Sequence, residues 1–364
     1  MKYWRGFLIA AILAAATWAM TQFAAGHALL LDMVYPYMIR VLVPSLTHWT
    51  AGVDFNVWQV LLVFIIAGVL TSIVLMLVFR WNVVQWLGWV LAVSCLFSFL
   101  NTGILGLGGY TSPISESLRL EMQDYSQEHL EATAIYYRDL ASSLADKVKR
   151  NSDGTADLSD FDALAKQAGD GYNHLTYDRG FAALSGDTSP VKQLGWSDAY
   201  TDRGITGMTV LITGESAVNP NVPEAALPFT MCHEMAHRMG VSKNPEADFA
   251  AILACSSNAS VEFQYSGYLM AYRACYMALA KYGVGAQTNL SVDADPRVTK
   301  DMNAYSGFLS PEENTVSGTL VDLIVSWHIQ EVILPANQGQ LTPDIFDPMD
   351  ETDDRLQDIV NGTA

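Results

Sequence analysis

The sequence predicts an α-helical membrane anchor of two or three transmembrane helices, followed by a mostly α, α+β outer domain. Three observations carry this expectation. The chain is 51% hydrophobic and only 16% charged, where a soluble domain carries about 25% charge. The charges are also unevenly divided. Up to Leu105 they are Lys2, Arg5, Arg40, Arg80, Asp32 and Asp54 alone, leaving 16 of the 20 basic and 36 of the 38 acidic residues, a net −20, to the rest. The charge-poor part, finally, holds apolar runs of membrane length. The 364 residues suggest about two domains. A formal charge of −18 argues against a nucleic-acid partner, which needs a basic face. The composition is too apolar for a disordered chain, and four cysteines are too few for a disulfide scaffold.

The expected organisation is a membrane region over 1–108, an outer domain over 109–335 and an acidic tail over 336–364. Residues 60–79 form the clearest span, with Thr71 and Ser72 as their only polar members. Twenty residues at 1.5 Å each cover about 30 Å, the thickness of the hydrocarbon core. A second span is expected at 83–105, with Trp81, Trp86 and Trp89 near one end as interfacial anchors. Residues 7–25, after Lys2 and Arg5, read either as a cleaved signal peptide or as a retained span. Both alternatives give the same topology. Lys2, Arg5 and Arg80 fall on the cytoplasmic side, and the outer domain ends extracytoplasmic after either two or three crossings. The stretch from His27 to Asn56 contains Pro36 and Pro44. It is expected to be an interfacial or re-entrant segment, or else a helix packed on the outer domain.

In the outer domain, apolar spacing predicts helices over 115–149, 158–168, 229–239, 245–256, 261–282 and 316–334, the last stopping at Pro335. Gly207–Thr213 is β-branched and apolar and reads as a strand. The run of aspartates from Asp344 to Asp354 marks the acidic tail.

Residues 233–237 read His-Glu-Met-Ala-His. Histidines four apart share one helix face, so both imidazoles can reach one ion, and Glu234 can take a proton from a water on that ion. Gly240 ends the motif helix, and Asn244 with Pro245 opens the next one, bringing Glu246 close to where the first ended. A catalytic zinc needs three protein ligands and an open position. Glu246 is the best third ligand. Asp248 is the runner-up, either as ligand or as the group that orients a ligand histidine. Lys243 stands where a metzincin has its third histidine, and a protonated amine cannot bind zinc. The motif helix is also too polar for an intramembrane protease.

Together with the N-terminal spans, several segments resemble one family: His233–His237, Glu246-Ala-Asp-Phe249, Leu253-Ala-Cys255, Phe263–Tyr268 and, upstream, Thr213-Gly-Glu-Ser-Ala-Val-Asn219. The resemblance is to the bacterial membrane-anchored family with a zincin motif known as domain of unknown function 3810. It implies a zincin-like, glutamate-ligand zinc metallopeptidase domain with His233, His237 and Glu246 on Zn2+, and no particular substrate. Ala250 departs from the broader glutamate-ligand class, which often has an acid four residues after the ligand.

Peptide hydrolysis also needs a donor for the oxyanion. Tyr265 and Tyr268 are preferred because they lie in the recognised segment, ahead of Tyr272 and His328; a lone histidine in an apolar helix is more often core. The strand near Thr213 is expected beside the cleft, by analogy with zincins. Cys232, Cys255 and Cys275 allow a disulfide such as Cys255–Cys275 or three buried thiols. The function expected is peptide hydrolysis with Glu234 as general base, on a peptide or protein substrate at the lipid bilayer. The alternative is a catalytically silent zinc-containing sensor or interaction module. The outer domain's acidity favours basic substrates.

Overall fold

The computed structural model describes residues 2–311 and 314–337. The predicted acidic tail from residue 338 onward lies outside the described residues. The chain divides into two compact units: Met1–Ser112 with Val210–Glu215, and Pro113–Thr209 with the chain from Ser216 onward. The boundary falls four residues beyond the one read from composition. A six-residue hairpin tip also belongs with the first unit, which no composition signal announces.

The first unit is built from α1 (Arg5–Gly26), α2 (Ala28–Thr50), α3 (Val57–Val78) and α4 (Val83–Ile104). All four are long and apolar enough to cross a membrane. Helix α1 runs along α4. Gly6 and Gly88 meet backbone to backbone, a Cβ on either would collide with the other helix, and Ala10, Ala24 and Ala92 are buried nearby. Small residues let helices approach closely where the surroundings are as apolar as the side chains. Helix α3 buries only Gln59 and exposes Leu61, Phe64, Ile65, Leu70 and Leu77. A helix apolar on every side and unburied suits lipid as its solvent.

Helix α2 corrects the expectation of two or three helices in this region. The two prolines do not break it; both lie inside the helix. A buried stripe of Leu31, Tyr35, Ile39, Val43 and Thr47, each four residues from the last, packs it with Leu211, Ile104, Leu105 and Leu107. That packing holds the helix across the missing N–H groups. Its partners all lie in the first unit. Near its start Asp32 accepts from the backbone and the hydroxyl of Ser112 at 2.8 and 2.7 Å, and Tyr35 donates to the Ile104 carbonyl at 3.0 Å. Near its end Thr47 donates to the Gly214 carbonyl at 2.9 Å.

The second unit is mostly helical: α5 (Gln127–Leu144), α6 (Phe161–Tyr177), α7 (Leu227–Arg238), α8 (Asn244–Ser256), α9 (Val261–Ala278), α10 (Val284–Val292), α11 (Pro296–Phe308) and α12 (Gly318–His328), with short helical turns between. Helix α9 is buried almost all round and packs on α5, α7, α8 and α12. Gly318–Ala336 meets the same length and hydropathy criterion as the anchor helices, but more than half of it is buried, with Trp327 against Phe181 and Phe249, so it is a core helix. It continues through a π-helical turn, Ile329–Ile333, and past Pro335, where the sequence predicts a stop.

Two other elements differ from expectation for non-local reasons. The helix expected over 115–149 begins only at Gln127, capped by Ser126. The backbone before it is drawn to the far end of the chain: Glu121 and Gln123 donate to the side chains of Gln330 and Ser326, and the Tyr125 hydroxyl donates to Asp322. The strand expected over 207–213 stops at Val210, and a second strand that was not expected follows the turn. A three-stranded sheet has β1 (Lys192–Gln193), β3 (Glu215–Val218) and β2 (Gly207–Val210) in the order β1-β3-β2, with β1 parallel to β3. Gly214, at φ +70°, makes the turn; a Cβ there would sit 2.7 Å from the Thr47 amide nitrogen.

Candidate metal centre

Helix α7 carries the His-Glu-x-x-His motif. It starts with Pro228 in its first turn, where the missing N–H costs nothing, and Gly240, at φ +99°, turns the chain immediately after it. The one-turn spacing brings the imidazoles together: Nε2 of His233 and Nε2 of His237 face each other at 3.1 Å. Two nitrogens on a tetrahedral zinc, each about 2.0–2.1 Å from it, stand about 3.3 Å apart.

The other ring nitrogens decide what that pair can hold. His237 donates from Nδ1 to the Val241 carbonyl at 2.7 Å, an atom that can only accept. Its Nε2 therefore carries a lone pair whenever the ring is neutral. Burial, with the neighbouring His233, pushes its pKa down to about 4. His233 has Asp248 Oδ1 2.7 Å from its Nδ1. The carboxylate lies off the N–H direction, so this is an ion-pair contact, not an aligned hydrogen bond. Burial is the largest single influence on His233 and disfavours its charge, but Asp248 and Glu234 together outweigh it and the net shift is upward. The separation of the two Nε2 atoms is close to that of two nitrogens on one zinc ion, so the pair could supply two ligands.

Asp248 thus lies beside Nδ1 of His233, the position that its second alternative calls for. Helix α8, however, is capped by Lys243, and Asn244 is already its first residue. Glu246 sits in the first turn, buried, with Oε1 3.2 Å from Lys243 Nζ. Among the described residues no third His, Cys, Asp or Glu joins the two imidazoles in a metal-binding group. The structure therefore brings together His233, His237 and Asp248, and leaves Glu246 beside a lysine.

Glu234 is only 4% exposed. Its Oε2 accepts from the Thr209 hydroxyl at 2.6 Å, and its Oε1 lies against Gly207, where a Cβ would come within 2.5 Å. Burial raises its carboxyl above the usual range, against the opposing pull of His233 and Thr209. Its backbone carbonyl accepts from Ser216 at 2.9 Å and lies 2.9 Å from the Thr209 hydroxyl oxygen. Strands β2 and β3 thus clamp the motif helix at the glutamate, and β2 is an edge of the sheet.

The tyrosines expected to steady an oxyanion are engaged elsewhere. Tyr265 donates to Asp301 Oδ2 at 2.5 Å, beneath the Arg150 guanidinium. Asp301 also accepts from Arg150 and from the Ala156 amide, so this is a buried structural knot. Tyr268 is buried and packs near Tyr137. Neither lines the cleft, about 460 Å³ in volume, that His233 and Asp248 open into. His328 is a core histidine, stacked on Tyr136 and bonded to Thr133. The cysteines are free, and Cys232, Cys255 and Cys275 are buried.

Sequence reasoning missed Thr209 and Arg273. Arg273 lines the same cleft. Its signal was present: with Glu262 it is one of only two charged residues in the otherwise neutral α9.

Long apolar helices compatible with a membrane, paired histidines on one helix face and a clamped glutamate define a helical chain with a candidate metal centre. The chain belongs to the family described as protein of unknown function DUF3810, which matches residues 32–324. No curated protein and no solved structure matches it.

Proposed function

We propose that this chain is a membrane-anchored zinc-dependent metallopeptidase. The observation that carries the reading is the pair of facing Nε2 atoms, with the next residue, Glu234, held by Thr209. His233 and His237 hold the ion; Glu246 is the third ligand that the family resemblance implies, and it must part from Lys243 to serve. Zinc, when bound, polarises a carbonyl and lowers the pKa of water. The protein's own groups do the rest. Asp248 orients His233. Glu234 takes a proton at its carboxylate and returns it to the leaving amine, a task that a raised pKa favours. Thr209 keeps one carboxylate oxygen fixed, which leaves the other to work. Edge strand β2 offers backbone groups to an extended peptide.

The membrane reading extends this. In this reading α1, α3 and α4 cross the bilayer, and α2 lies along its outer surface. Support comes from the two ends of α2. Its start is bonded near the end of α4. Its end contacts the hairpin whose Glu215 binds the start of α3. In a helical hairpin the start of α3 and the end of α4 share one side. Three crossings put the catalytic domain outside the cell membrane, with Lys2, Arg5 and Arg80 inside.

The test uses the full chain in detergent. Zinc is expected at one per chain and lost in His237→Ala. Glu234→Gln is expected to keep zinc and lose hydrolysis of a peptide library by about 10²–10⁴-fold. Undiminished cleavage by Glu234→Gln refutes the mechanism. The Lys243–Glu246 pair favours a second reading, a catalytically silent zinc-containing sensor, and zinc binding without any cleavage would select it.

A further inference from the structure

Arg273 sits in the wall of the cleft with His233 and Asp248 and is only 7% exposed. A buried guanidinium is normally matched by a carboxylate, because an unpaired buried charge is expensive. Here the partners are neutral. Nε donates to the Ser306 hydroxyl at 3.2 Å, Nη2 donates to the Asn314 side-chain carbonyl, and the cation stands 5.3 Å from the centre of the Tyr305 ring. Among the described residues no carboxylate ion-pairs with it. The acid that influences it, Asp248, lies 2.7 Å from His233. Burial lowers the pKa of Arg273, in keeping with a charge short of a counter-ion. All this occurs in a part of the chain with 36 acidic residues. Among the described residues, the cleft holds this positive charge without a paired carboxylate.

We infer that Arg273 is the anion-binding residue of the cleft and receives a carboxylate of the substrate. This rests on the peptidase reading only for the word substrate; the anion site itself needs no metal. The guanidinium fork matches a carboxylate in two parallel hydrogen bonds, and its free Nη1 has no protein acceptor among the described residues. The carboxylate belongs either to a peptide C-terminus or to an acidic side chain near the cleaved bond. A cleft of about 460 Å³ admits a few residues, so either lies close to His233.

The experiment measures binding by the full chain of Glu234→Gln in detergent, which removes turnover from the readout. Four fluorescent short peptides cover the two sources: free or amidated C-terminus, each with Glu or Gln beside it. The parent background is expected to bind one carboxylate form about ten- to a hundredfold more tightly than its neutral counterpart. Arg273→Gln should erase that difference and Arg273→Lys should keep part of it. Dependence on the C-terminus identifies an exopeptidase-like site; dependence on Glu identifies side-chain recognition. Equal binding of all four peptides, or discrimination that survives in a folded Arg273→Gln, overturns the proposal, as does an absence of binding. Zinc content is measured separately. A carboxylate preference without zinc leaves the anion site standing and removes the peptidase reading; zinc without the preference does the reverse.

Discussion

The hydroxyl of Thr209 meets the Glu234 carboxylate, the Glu234 carbonyl and the Ser216 hydroxyl. Nothing in the motif pattern announces it, because it stands 25 residues away and reaches the site only when strand and helix pack. Thr209→Val keeps the shape and removes the bond. It is expected to lower kcat about tenfold, the loss of one hydrogen bond to a charged group, with zinc content unchanged. His233, Glu234 and His237 were legible because helix geometry alone brings them together. Tyr265 was misjudged because its partners, Asp301 and Arg150, come from distant segments. His328 offers a test on pH. Burial first, and the charge of His129 second, hold its pKa down to about 3 from 6.5. Below pH 6.5 the unfolded chain therefore binds more protons than the folded one, and stability falls as pH drops towards 3. His328→Gln cannot protonate and should show a shallower acid slope, measured by thermal unfolding at about pH 7 and about pH 4.5.

Elements that satisfy themselves were readable, and those that depend on remote partners were not. Helices α3, α4, α7, α8 and α9 follow their apolar patterns closely. Helix α2 was left open between a re-entrant segment and a helix packed on the outer domain because its two prolines are breakers in water, whereas its buried stripe and apolar surroundings hold it together. Strand β3 was hidden because its four residues are buried on both faces and lack alternation. Its first residue has a second task. The Glu215 carboxylate accepts from the backbone N–H groups of Val57 at 2.9 Å and Trp58 at 3.0 Å, the first turn of α3. A carboxylate there satisfies two orphan donors and complements the helix dipole. Glu215→Ala should cost about 1–2 kcal/mol, seen as a lower Tm of the full chain in detergent. Gly214→Ala should cost at least as much, since it combines a left-handed backbone with a clash at Thr47.

At the scale of the whole chain, the proposed three crossings imply a sidedness that can be measured. Single cysteines replacing Lys2 and Arg80 are expected to be shielded from an impermeant thiol reagent in intact cells, and one replacing Glu128 in α5 to react. Labelling at all three, or at none, refutes the topology of three crossings. The composition of 1–108 against 109–335 suggests an anchor and a domain that a single cut could part. The chain crosses from one unit to the other three times, after Ser112, at Thr209–Val210 and at Glu215–Ser216. Cleavage near Ser112 therefore leaves two pieces that should still copurify in detergent, joined by a hairpin tip whose Leu211 is 3% exposed. A fragment begun at Pro113 carries that tip into water without its seat: a greasy finger ending in a carboxylate that has lost both its donors.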